Sequence, residues 1–253
     1  MTGITSYLYS ALAALIALTV HEYSHGYAAY RLGDPTAKMA GRLSLNPLRH
    51  LDPIGAICLV FFHFGWAKPV PINPNNFKKP KRDFALTALA GPASNFILSF
   101  LSAFFFLLFY SLFSAMTFPN AGMLRVAQNV VNFLYVFHLV NLGLALFNLF
   151  PLPPLDGSRL LGVILPEKAY FGIMKYERTI YFIMLGWMFF GSAAASLLMA
   201  IPGASSIPAL SVIADILSFS GLFGKLISLV SDGMMKLFSL LPFMRSDFLA
   251  LII

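Results

Sequence analysis

The sequence predicts an all-α protein that crosses a membrane several times. Of its 253 residues, 58% are hydrophobic and only 11% are charged, and the mean hydropathy is +0.79. Soluble globular domains carry about 25% charged residues, so this composition excludes an ordinary soluble domain. Uncharged runs of about 20 residues, the length that spans a bilayer as a helix, recur along the chain. We therefore expect five to six transmembrane segments.

Five apolar stretches are long enough to cross the membrane as helices. They cover approximately residues 5–31, 84–116, 124–150, 178–201 and 207–230. A sixth run, 54–66, is short for a span, and we expect it to be re-entrant or tilted and buried. The first stretch has neither a basic region before it nor a small-residue cleavage site, so it is expected to remain as a helix.

The positive net charge of +7 is concentrated in three segments between these stretches. Residues 31–52, 67–83 and 156–178 hold 13 of the 17 Lys and Arg residues, whereas the loops near 117–123 and 202–206 hold none. Because basic loops stay on the cytoplasmic side, the first group is expected there and the N-terminus outside. The charge therefore indicates membrane topology, and we expect no nucleic-acid partner.

The chain reads as one integral membrane domain over residues 1–253. No repeat or long polar insertion interrupts it, and we expect a core at about 5–160 and accessory helices at about 178–253. The mixed charged and apolar segment 232–253 predicts a helix that lies in the membrane interface. The single cysteine, Cys58, excludes a disulfide framework within the chain.

The first motif, His21-Glu22-x-x-His25, lies at the inner end of the first apolar stretch. It is ten residues from Arg31, or about 15 Å along a helix. Residues four apart share a helix face, so both imidazoles can bind one ion, and Glu22 can reach a water molecule on it. Zinc peptidases use this pattern. Ionisable residues inside a membrane cost a few kcal/mol each, which also favours a metal over a chance match.

The second motif is FNLFPLPPLDG, residues 147–157, in which three prolines end the helix. Catalytic zinc needs a third protein ligand, and Asp156 is the candidate. The alternative is that Asp156 caps the next helix. Asn148, on the last helical turn, offers an amide that can stabilise a substrate oxyanion, or it is a helix C-cap. The sequence does not separate these two interpretations.

Together the motifs resemble the site-2 protease family of intramembrane zinc metalloproteases. The resemblance rests on HEYSHGYAAYRLGD, GRLSLNPLRHLDPIG, GWAKPVPINPNNF, AGPASNF and FNLFPLPPLDGSRLL, which occur in the family's order. It is strongest to the small prokaryotic members that lack a PDZ or CBS domain. The resemblance implies Glu22 as general base, Asn148 near the scissile carbonyl, and one Zn²⁺ per chain on His21, His25 and Asp156.

The resemblance also implies a fold and an activity. Three core helices would carry the motifs, and a short membrane-associated β-strand region would occupy about 40–80, formed by GRLSLNP and KPVPINP. An extended substrate could pair with such an edge. The implied activity is cleavage of transmembrane segments in a prokaryotic cytoplasmic membrane, near its cytoplasmic side. Its implied purpose is regulated proteolysis or the clearance of signal-peptide remnants.

Two other functions remain open from the residues: a zinc-binding membrane transporter, and a catalytically inactive scaffold. A transport site needs no glutamate beside the first histidine, and the presence of all the catalytic residue types counts against a scaffold. The remaining polar residues of the apolar stretches have no assigned role. Asn95 is expected to bond a neighbouring helix or to face the site, His138 and Asn141 form a polar stripe or isolated interhelical hydrogen bonds, and Asp215 has no explanation.

Overall fold

The computed structural model of the protein describes residues 3–55, 58, 67–241 and 244, and these are mostly helical. The described helices are α1 (Gly3–Arg31), α2 (Thr36–Met39), α3 (Pro80–Ser114), α4 (Ala121–Asn148), α5 (Gly157–Ile164), α6 (Glu167–Met174), α7 (Glu177–Met199), α8 (Pro208–Leu217) and α9 (Phe219–Ser239). Three short 3₁₀ turns lie at Pro47–Arg49, Pro74–Asn76 and Ala204–Ser206.

Four of the described helices, α1, α3, α4 and α7, are long and apolar enough to cross a membrane. They match the first four predicted spans to within a few residues. The helices α8 and α9 pass this test only together; they are bent by 93° at the break between them, and they make a fifth candidate if the bent pair is one span. The predicted run 54–66 lies largely outside the described residues. The structure describes residues 232–241 and 244 of the predicted interfacial segment 232–253. Residues 232–239 are the last part of α9, which ends at Ser239.

The predicted span 207–230 is two helices because the chain breaks at Ser218. This residue has an extended backbone, and its hydroxyl accepts a hydrogen bond from Gly221 N at 3.1 Å, which caps α9. The break frees the carbonyl oxygen of Leu217, which accepts from Trp187 Nε1 at 2.8 Å. A broken helix inside a protein at membrane depth requires such replacement partners.

The helices α1, α3 and α4 pack against one another and form the centre of the molecule. Small side chains of α1, including Ala13 and Ala17, are buried and permit close helix approach. On the far side of α3 and α4, a cluster of buried apolar side chains joins these helices to α9. Its members include Phe106, Leu142, Met234 and Phe238.

The predicted β-strand region at about 40–80 is not confirmed. Among the described residues of this region the pairing consists of one isolated antiparallel bridge, between Leu51 and Ala67. Lys68 N donates to the main-chain oxygen of His50 at 2.8 Å beside this bridge, but two later donors of the KPVPINP segment bind side chains. Val70 N donates to Glu22 Oε2 at 2.8 Å, and Asn73 N donates to an Asp34 carboxylate oxygen at 2.7 Å. The intervening prolines have no N–H to offer.

Candidate metal centre

Helix α1 brings the two histidines of the first motif together. The four-residue spacing places both rings on one face, with their planes nearly perpendicular and their Nε2 atoms 3.0 Å apart. Both residues are buried, His21 at 5% and His25 at 6% relative exposure. The pair therefore faces the protein interior rather than the surrounding membrane.

Asp156 reaches the same point from the segment that follows α4. Its Oδ2 lies 3.0 Å from His21 Nε2 and 3.1 Å from His25 Nε2. Asp156 occupies the N-cap position of α5, yet its side chain makes no capping hydrogen bond, so the capping alternative does not hold. Gly157 permits this tight return, because a Cβ there would overlap the main-chain oxygens of the turn after α4.

The outer nitrogen of each imidazole faces an oxygen acceptor on α3. His21 Nδ1 lies 2.6 Å from Asn95 Oδ1, and His25 Nδ1 lies 2.7 Å from the main-chain oxygen of Thr87. These oxygens can only accept, so each Nδ1 carries the hydrogen and each Nε2 presents a lone pair. Metal-binding histidines typically have a partner of this kind on the nitrogen that does not bind the metal.

The donor set fits a zinc ion. In the neutral tautomers that carry the hydrogen on Nδ1, three lone-pair atoms, the two Nε2 atoms and the carboxylate oxygen of Asp156, face one another at 3.0–3.1 Å. They would repel unless a cation lay among them. Zinc takes nitrogen and oxygen ligands at about 2.0–2.2 Å in tetrahedral geometry, and a triangle of this size leaves its fourth position open. Three protein ligands and one open position are typical of catalytic zinc.

A cavity of about 560 Å³ adjoins the three side chains. Glu22 and Asn148 line it, together with the extended residues Pro69, Val70 and Ile72. Most of its remaining wall is apolar and comes from α1, α3, α4 and α7; it includes Leu18, Phe84, Leu144, Phe147 and Met184. The cavity therefore offers a mostly apolar space next to the three converging side chains.

Asn148 is compatible with both interpretations of its role. Its Nδ2 donates to the main-chain oxygen of Leu144 at 3.0 Å, so the amide stabilises the last turn of α4. A side-chain amide carries two N–H hydrogens, and the second remains for a ligand in the cavity.

The sequence assigned no definite role to the polar residues that surround the histidines on α3 and α4. Asn95 contacts His21 directly, and its Nδ2 also donates to Asn141 Oδ1 at 2.9 Å. His138 makes interhelical hydrogen bonds through its two ring nitrogens. Gly91 provides room for the rings, since a Cβ there would overlap the side chain of His25. The signal for these α3 residues was the AGPASNF motif.

The carboxylate that had no explanation, Asp215, forms an ion pair with Lys225. The pair joins α8 to α9 across the bend, and both side chains are exposed. It stands apart from the residues that line the cavity.

Comparison with known proteins agrees with this site. The model of the family described as "Peptidase family M50" matches residues 9–191, which include His21, Glu22, His25 and Asp156. "Putative zinc metalloprotease YwhC" of Bacillus subtilis is 41% identical over 158 residues, which cover 62% of this chain and 69% of the relative.

A more distant relative has the same type of name. "Putative zinc metalloprotease Rip2" of Mycolicibacterium smegmatis is 30% identical over 147 residues, or 56% of this chain, and the chain covers about half, 52%, of that relative. No solved structure gives a significant match.

Proposed function

The chain belongs to peptidase family M50, whose members use zinc, and on that premise we propose that it is a metalloendopeptidase that acts inside the membrane. It hydrolyses peptide bonds in transmembrane segments of other membrane proteins, near the cytoplasmic side. One observation carries the proposal. The acceptor atoms of His21, His25 and Asp156 converge to within 3.1 Å at the wall of a cavity that Glu22 also lines.

In this proposal His21, His25 and Asp156 hold the ion, one per chain. Zinc, when bound there, supplies the Lewis acidity that lets a water molecule lose a proton near neutral pH. Glu22 is the general base: it takes the proton as the water oxygen attacks the peptide carbonyl carbon. It then delivers the proton to the amide nitrogen as the C–N bond breaks. The hydrogen bond from Val70 N to one oxygen of Glu22 holds this carboxylate at the cavity wall.

Asn148 has the second part in the proposed mechanism. Its free N–H hydrogen can donate to the carbonyl oxygen of the substrate as negative charge develops there. Because the amide is anchored to Leu144 O on its own helix, its position is set before the substrate arrives. Preorganised donors of this kind contribute about 2.7–4 kcal/mol to stabilising a transition state.

The cavity wall supports an extended apolar substrate. Pro69, Val70 and Ile72, which belong to an extended part of the chain, line it. A transmembrane helix hides its peptide bonds, so its hydrolysis requires local unwinding, which pairing with an extended backbone would favour. The proposed partners are thus transmembrane segments of protein substrates, together with the surrounding lipid. The purposes proposed are regulated proteolysis and the removal of signal-peptide remnants.

We also propose the topology and extent of the enzyme. The basic segments support a topology in which the inner end of α1 faces the cytoplasm and the N-terminus lies outside, in a prokaryotic cell membrane. The first 160 residues carry the ligands and the base, and α7, α8 and α9 are accessory helices of the same domain. Helix α7 contributes Tyr181 and Met184 to the cavity wall, so this accessory part also borders the substrate space.

The proposal is tested by measuring zinc content and cleavage on the same variants. Purified wild-type protein should hold about one zinc per chain, and His21→Ala and Asp156→Ala should lose it. Glu22→Gln should keep the zinc and lose cleavage of single-span reporter proteins in liposomes. Glu167→Gln is the matched control, because Glu167 is an exposed carboxylate that pairs with Lys81 away from the cavity.

Three results would contradict the proposal. Cleavage by Glu22→Gln at the wild-type rate would exclude Glu22 as the base. Zinc that survives Asp156→Ala would remove the third ligand. Zinc flux through liposomes without cleavage would favour the transporter instead.

A further inference from the structure

Two buried amide side chains connect the ring of His21 to helix α4. His21 Nδ1 lies 2.6 Å from Asn95 Oδ1, and Asn95 Nδ2 lies 2.9 Å from Asn141 Oδ1. Asn141 Nδ2 in turn donates to the main-chain oxygen of Phe137 at 2.8 Å. Both amides have no exposed surface. The proposed peptide hydrolysis assigns them no contact with substrate, so another role must account for them.

The direction of these hydrogen bonds is set at their far end. A main-chain oxygen only accepts, so Phe137 O requires the N–H group of Asn141, and Asn141 Oδ1 then faces Asn95. Asn95 meets two acceptors, Asn141 Oδ1 and Ala17 O at 3.2 Å, and must turn its NH₂ group toward them. Its oxygen is left for His21. The ring of His21 therefore carries its hydrogen on Nδ1 and presents a lone pair at Nε2.

We propose that Asn95 and Asn141 are positioning residues that hold His21 in its zinc-binding tautomer and orientation. The inference rests on the zinc site of the proposed function. Loss of a direct partner of a metal-binding histidine typically weakens metal affinity 10–100-fold, and this range applies to Asn95. Asn141 acts one bond further out, and Ala17 O still orients Asn95 without it. We therefore expect about a tenfold loss from removing the Asn141 acceptor.

This role differs measurably from simple helix packing. His138 lies one turn before Asn141 on α4 and also makes buried interhelical hydrogen bonds, with Ser99 at 2.8 Å and Ser231 at 2.9 Å. These contacts lead to α3 and α9, away from His21. Removing one of them should lower the melting temperature without changing zinc affinity. Ser231→Ala is therefore the matched control.

The experiment measures zinc affinity of the full-length chain in detergent by competition with a chelator. Asn141→Leu fills a similar volume but has no acceptor for Asn95. Asn141→Asp keeps that acceptor and, when protonated in this buried position, also a donor for Phe137 O. We expect about a tenfold loss for Asn141→Leu, affinity within about threefold of wild type for Asn141→Asp, and no change for Ser231→Ala.

The proposal is overturned if Asn141→Leu binds zinc as tightly as wild type, or if Asn141→Asp loses as much affinity as Asn141→Leu. Should Asn141→Leu fail to fold, nitrogen NMR of histidine-labelled, zinc-loaded wild-type protein decides. The proposal requires zinc on Nε2 and hydrogen on Nδ1 of His21, and the reverse arrangement would overturn it. Wild-type protein that binds no zinc would overturn the proposed function itself, which distinguishes the two failures.

Discussion

Replacing Gly91 by alanine tests whether helix α3 is shaped around the metal site. An added Cβ would lie 2.6 Å from His25 Cε1 and 2.7 Å from His21 Cε1, and closer still to His25 Nε2. Ordinary van der Waals contact begins at 3.4 Å, so the nearest of these carbon contacts is short by about 0.8 Å. The atoms it meets belong to both metal-facing rings, and either the rings or α3 must move.

The expected loss of zinc affinity depends on whether the zinc-free or the zinc-bound protein bears this strain. Without zinc, His25 can turn its ring away. With zinc bound, both rings are held, because ligand distances vary by only about 0.2 Å, and α3 must retreat. Overpacking of this kind costs about 1–3 kcal/mol. Since 1.4 kcal/mol corresponds to a factor of ten, Gly91→Ala should weaken zinc binding by roughly 5- to 140-fold.

The same substitution should destabilise the zinc-free protein much less than the zinc-bound protein. Alanine exceeds glycine in helix propensity by about 1 kcal/mol, which offsets part of any residual strain. The assay is chelator competition for zinc, with melting temperatures measured with and without the metal. Gly186→Ala on α7 is the matched control, because nothing lies within 4 Å of a Cβ there. Wild-type zinc affinity in Gly91→Ala would refute the reasoning.

Three further predictions concern the segments that complete the site. Gly157→Ala should weaken zinc binding at least about tenfold, because the added Cβ overlaps main-chain oxygens and displaces Asp156. Equilibrium dialysis with zinc measures the affinity, and an unchanged affinity would contradict the prediction. Val70→Pro removes the N–H that binds Glu22 and should lower kcat about tenfold at full zinc occupancy, whereas unchanged kcat would show that this hydrogen bond does not orient the base. Burial raises the pKa of the Asp34 carboxyl, but four hydrogen bonds outweigh burial and hold this pKa below its ordinary value. The stabilisation by Asp34 is therefore complete above the unfolded pKa of about 4 and is lost as the pH falls further, through the folded value. Asp34→Asn should lower the melting temperature at pH 7 and flatten its decline below about pH 4, and a parallel decline in both proteins would contradict this.

The parts of the fold that depend on local pattern could be predicted from the sequence. Uninterrupted apolar runs indicated the four long helices, because burying a backbone in lipid requires a helix that satisfies its own hydrogen bonds. The spacing of His21 and His25 predicted that their rings meet, since side chains four apart share one face. Asp156 could be nominated because three prolines before it end the helix and because a catalytic zinc needs a third protein ligand.

Features that depend on tertiary partners were not predictable in the same way. The break at Ser218 leaves the carbonyl oxygen of Leu217 free, and Trp187, 31 residues before Ser218, donates to it. No local sequence pattern predicts that hydrogen bond. The family resemblance implied a strand in the extended segment around Val70, although proline is depleted in strands. Val70 N and Asn73 N instead donate to the carboxylates of Glu22 and Asp34, at and beyond the inner end of α1. Only the folded chain brings these carboxylates within reach of the segment.

The α3 residues show why a ligand motif alone does not make a metal site. Two imidazoles four residues apart on a helix have two requirements: space for both rings, and a fixed position for the hydrogen on each ring. Gly91 provides the space, because any side chain there would overlap the rings. Asn95 and the main-chain oxygen of Thr87 fix the hydrogens, because each accepts from the outer nitrogen, Nδ1, of one ring. A chain with the same ligands but a larger side chain and no acceptor on α3 would bind zinc weakly. The α3 positions therefore belong to the proposed metal site as much as the proposed ligands do.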